Sequence, residues 1–151
     1  MRSKAPLALM EQLVMVLVFA LAAALCLQVF VLSNQTSRRS AAIDRAVLEC
    51  QNAAETLKAT GLDMAEAQKV LMVQMGGTMS QGLLQVCYDE DWNRLPGNTD
   101  NCAYVLDVQG VRAEVEGLMK AHIRVAAVED ISVGGSGESL FELTVAWQEV
   151  G

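Results

Sequence analysis

Between Leu13 and Leu32 the only polar side chain is Gln28, and there is no charge. As a helix rising ~1.5 Å per residue this run is about 30 Å long, the thickness of the hydrocarbon core of a bilayer. Glu11 lies at the start of the run, close behind a short basic leader, Met1-Arg2-Ser3-Lys4. A carboxylate at the edge of such a segment costs free energy unless it finds a partner or sits among headgroups. Position alone leaves both readings open.

Three kinds of segment start this way. A secretory signal has a shorter apolar centre, roughly 7–15 residues, followed by a small-x-small site. Here the run is longer and Ser33-Asn34-Gln35 offers no such site. A lipoprotein signal needs a small residue just before the modified cysteine, but Leu25 precedes Cys26 and the chain stays apolar through Val31. A retained membrane helix fits best. Its orientation is not set by charge, because Arg2 and Lys4 on one side face Arg38, Arg39 and Arg45 on the other.

Beyond the span, about 115 residues remain, enough for one small domain. The net charge of −7 argues against a nucleic-acid or anionic-lipid binding face. The helical pattern continues: Ile43, Val47, Cys50, Ala54 and Leu57 form a narrow apolar stripe. Arg38, Arg39, Asp44, Arg45, Glu49 and Glu55 fall off it. No Pro or Gly interrupts Leu7 to Thr60, so one long helix is expected. A break within Ser33 to Ser40 is the alternative. Gly61 suits a helix end, and Asp63 with Glu66 reads as a capping box. Met64, Ala67, Val70, Leu71 and Met75 then mark a short second helix, stopped by Gly76-Gly77.

From Gly82 the period becomes two. The runs Leu84–Tyr88, Tyr104–Val108, Met119–Ala127 and Phe141–Trp147 each alternate apolar with polar. They predict a four-stranded antiparallel sheet with one covered face, linked partly through Gly134-Gly135-Ser136-Gly137. The expected fold is α+β: a long N-terminal helix, half in lipid and half amphipathic, a short helix, and the sheet packed on the helix stripe. The domains would be 1–6, 7–33 and 34–151.

Basic leader, early glutamate, membrane-length helix, amphipathic continuation and antiparallel sheet, in this order, resemble the type IV pilin and type II secretion pseudopilin superfamily. The resemblance implies cleavage between Pro6 and Leu7 by a prepilin peptidase, which makes Glu11 the fifth mature residue. It implies that Glu11 pairs with the N-terminal amine of a neighbouring subunit, in a filament of like subunits or other pilins drawn from the cytoplasmic membrane. The 34–151 domain would then be extracytoplasmic, and the filament would stand on the cell surface. The family usually has glycine, sometimes alanine or serine, where this chain has Pro6. The departure keeps a second reading open: an uncleaved, singly anchored binding or accessory module.

No enzyme or cofactor is expected. His122 lies between Lys120 and Arg124 on a polar register, and no nucleophile, phosphate-loop or zinc spacing is present. Asp89, Glu90, Asp91 and Asp100 make an oxygen-rich loop, and some pseudopilins hold calcium in this region. Cys87 and Cys102 flank that loop, and pilins often carry a comparable disulfide. Against a bridge, Cys87 falls on the wet register and Cys102 on the apolar one. Cys50 reads as a buried hydrophobe. Trp92 is either an exposed binding aromatic or a lid on the core.

Overall fold

The computed structural model describes residues 5–97, 101–115, 117–128 and 139–148, with side chains from Ala8 onward. The chain divides into two units, Met1–Ala41 and Ala42–Gly151. Helix α1, Ala5–Thr60, runs through both. Its first part stays helical across the Ser33–Ser40 stretch, where Thr36 returns its hydroxyl proton to the Leu32 carbonyl at 3.0 Å. A polar side chain that bonds its own helix backbone has no need to break it. Residues 34–41 are as exposed as those before them.

The second unit starts with the amphipathic end of α1. Ala46, Cys50, Ala53, Ala54 and Leu57 are buried, whereas Ile43 and Val47 are only half-buried. The buried stripe is thus rotated toward alanines, which let the helix approach its neighbours closely. Glu49, expected to point to solvent, is 9% exposed. Gly61 ends the helix at φ 58°, a conformation that costs glycine nothing. Asp63 then caps α2, Met64–Met75, by accepting the Glu66 N–H at 2.7 Å. Trp147 donates its indole N–H to the Leu62 carbonyl at 2.9 Å, tying the turn between the helices to the last strand.

Helix α2 buries Ala67, Gln68, Leu71 and Met75. Val70, expected on that face, is half-buried. Gln68 replaces it without leaving an unmet donor, since its amide reaches the carbonyls of Gly82 at 3.0 Å and Val108 at 3.1 Å. After α2, Gly77 adopts φ 104°, and a Cβ there would collide with the Gln85 carbonyl oxygen. Gly77→Ala is therefore expected to cost about 2 kcal/mol, read as a lowered urea midpoint at unchanged slope.

Among the described residues six strands follow rather than four: β1 Thr78–Ser80, β2 Leu83–Tyr88, β3 Arg94–Leu95, β4 Tyr104–Val111, β5 Leu118–Ala127 and β6 Ser139–Gln148. All pairings are antiparallel, in the order β1-β2-β4-β5-β6, with β3 also on β2. The two unforeseen strands are three and two residues long, too short to show an alternation. They line successive halves of one edge of β2. The glycine-rich link at 134–137 lies outside the described residues.

The pairing Leu84↔Val108, Val86↔Leu106 and Tyr88↔Tyr104 sets inward side chains opposite one another. With β5, β6 and both helices they form one core. On the other face Gln85, Asp107, Arg124 and Glu142 stand in a single row across four strands. Gln85 donates to Asp107 at 2.9 Å, and Arg124 reaches the same carboxylate at 3.5 Å. The alternation expected through Ala127 fails at a register shift between Val125 and Ala126, which buries Ala126 instead.

Candidate functional site

In the first unit every large apolar side chain from Leu9 to Leu32 is at least half exposed, from 53% at Val14 to 77% at Phe19. Apolar area of that extent calls for lipid or another helix to cover it. The helix is long and apolar enough to cross a membrane once. Glu11 stands exposed near the start of this surface. Pro6 and Leu7, the candidate cleavage junction, lie within α1.

In the second unit the Glu49 carboxylate accepts the Tyr88 phenol at 3.0 Å and the Arg94 guanidinium at 3.4 Å. Arg94 also donates to the Gln74 carbonyl, in the last turn of α2, at 3.2 Å. One carboxylate thus joins α1, α2, β2 and β3. Burial, and then the Glu49 charge, push the Tyr88 phenol up from its ordinary pKa. The clue available in sequence was Tyr88 itself: a tyrosine on an inward register needs a partner for its hydroxyl. Nothing local pointed to Glu49 as that partner.

Trp92 folds back over this clasp. Its ring stacks on Tyr104, with centroids 4.3 Å apart and planes 12° apart, and tilts against Tyr88 at 5.7 Å. It is a lid on the core. The fold-back requires a left-handed backbone at Trp92, φ 64°. Asp89 holds that turn, accepting from the N–H groups of Asp91 at 2.9 Å and Asn93 at 2.8 Å, and from the Asn93 amide at 3.0 Å. The bonds from Asn93 keep the Asp89 carboxyl below its ordinary pKa.

Both Asp89 oxygens therefore accept hydrogen bonds from the loop itself. Among the described residues no group of three His, Cys, Asp or Glu is placed to hold a metal ion. Glu90 and Asp91 are exposed, and Asp100 lies outside the described residues. His122, on the outer face, sits 3.8 Å from Glu142 in a solvent-facing pair.

Cys87 and Cys102 form no disulfide, and burial, then the neighbouring Cys87, push the Cys102 thiol up to about 12. The register objection fails because Cys102 precedes β4 and is not bound by the pleat. Cys87, expected to be wet, is 3% exposed. Cys50 is buried in the α1 stripe, where desolvation and then Glu49 push its thiol up to about 12.

No protein-family model, curated protein or solved structure matches the chain.

Proposed function

We propose that the protein is a non-enzymatic structural subunit of a type IV pilus-like or type II secretion-like filament. Residues 7–33 anchor it in the cytoplasmic membrane and drive assembly, and the 34–151 domain lies outside the cytoplasm. The observation that carries this reading is the exposed apolar helix with a carboxylate near its start, continued by the helical stretch that supports the sheet. A monomer leaves that surface uncovered, and lipid or the same helix of other subunits covers it. Glu11 sets the register by pairing with a neighbour's N-terminal amine, since two charges in lipid relieve each other. The partners are like subunits, membrane lipid and a prepilin peptidase acting between Pro6 and Leu7; nucleic acid is not one of them.

Pro6 favours the second reading, a singly anchored accessory module that is neither cleaved nor polymerised. Proline restricts its own backbone and lacks a donor, so a peptidase suited to glycine meets a poor substrate. Intact mass of the membrane-extracted protein separates the two. The filament reading expects a chain that begins at Leu7. A chain that keeps its leader, with no crosslinks between copies through residues 7–33, establishes the anchor instead.

A further inference from the structure

We infer that Gln28 is the polar contact between two copies of this chain in one membrane, its side-chain amide pairing with the Gln28 amide of the second copy. The inference rests on the reading of residues 7–33 as a membrane helix and adds the face by which copies meet. Gln28 is the only polar side chain between Leu13 and Leu32, and it stands exposed on α1. Among the described residues its amide meets no hydrogen-bond partner, whereas Thr36, further along, satisfies itself on the Leu32 carbonyl. An amide left without a partner in hydrocarbon is strongly unfavourable. Escape to the nearer headgroups is a poor remedy. Gln28 lies one turn before Leu32, about 6 Å inside the edge of the apolar run. Side chains on a helix lean toward its N-terminus, so Gln28 leans deeper into the bilayer and away from that edge.

An identical amide is a sufficient partner. Each has an acceptor oxygen and an N–H donor group, so two amides at the same depth exchange hydrogen bonds reciprocally. Copies inserted in one bilayer stand at that common depth. The helix surface around Gln28 suits such a contact. Leu17, Leu21, Ala24, Gln28 and Val31 follow one another by alternating steps of four and three, the seam of a left-handed helix pair. At about 100° per residue, Phe19 and Phe30 lie about 180° and 160° away from Gln28. The aromatic rings thus face lipid, while Ala24, one turn from the amide, lets two backbones approach closely. Cys26 is also about 160° from Gln28, on the side turned away from the seam.

The test is oxidative crosslinking of the full chain in native membranes, with Cys26→Ala as the parent and Ala24→Cys added to it. Disulfide-linked dimers are expected through position 24, above the parent's background, and few through the native Cys26. Gln28→Leu is expected to cut the position-24 yield about threefold to tenfold, and Gln28→Asn, which keeps an amide, to retain most of it. Leucine is at home in lipid, so all variants are expected to stay in the membrane on carbonate extraction. A yield unmoved by Gln28→Leu, or a Gln28→Asn yield as low as that of Gln28→Leu, overturns the inference. So do dimers through Cys26 in place of position 24. Each of these leaves the filament reading standing. Dimers at neither position overturn both.

Discussion

Glu11→Ala is expected to abolish association between copies in the membrane, while the second unit melts as before. Glu11 lies beside side chains more than half exposed, such as Leu9 and Leu13, all of which must enter lipid or an apolar interface. A carboxylate paired there with a cation is held by a strong interaction, and removing one partner strands the other. Breaking such a pair costs about 3–5 kcal/mol, a loss of at least about hundredfold in association. Glu11→Gln separates charge from hydrogen bonding and is expected to lose nearly as much. Crosslinking in native membranes reads the association, and the thermal transition of the sheet domain serves as the internal control. Undiminished crosslinks in both variants would remove Glu11 from the assembly mechanism.

Glu49→Ala is expected to lower the stability of the second unit by about 3 kcal/mol. The variant leaves the Tyr88 hydroxyl, fully buried, with no acceptor. Arg94 suffers less, because its side chain is 43% exposed and can turn to water. Most of the loss therefore belongs to the phenol, and Tyr88→Phe in the Glu49→Ala background should cost little more. Glu49→Gln keeps an acceptor for the phenol and is expected to cost about 1 kcal/mol. Urea unfolding followed by near-ultraviolet circular dichroism measures the three variants and the wild type, with the Trp92–Tyr104 stack as the reporter. Equal midpoints for wild type and Glu49→Ala would show that the clasp carries no net stability.

The parts of this fold legible in the sequence are those governed by neighbours along the chain. The apolar run, the glycine at position 61, the Asp63–Glu66 cap and four alternating strands depend on periods of two or 3.6 residues and on local backbone preference. What was missed depends on residues far apart. Glu49 reaches Tyr88 across 39 positions and Arg94 across 45, so its departure from the polar face has no local trace. Strands β1 and β3 exist because the edge of β2 was available to them. Cys102 lies just outside β4, so the pleat does not set its direction.

By itself the sequence determined that this chain carries a membrane-length apolar helix marked by one early carboxylate, and that a helix stripe and a one-sided sheet follow it. Only the tertiary structure decided that Glu49 turns inward, that Trp92 closes over the tyrosines and that Cys87 is buried. The reason is physical. Solvent aversion and backbone geometry act residue by residue, whereas a buried polar group settles where the packed layers leave it a partner.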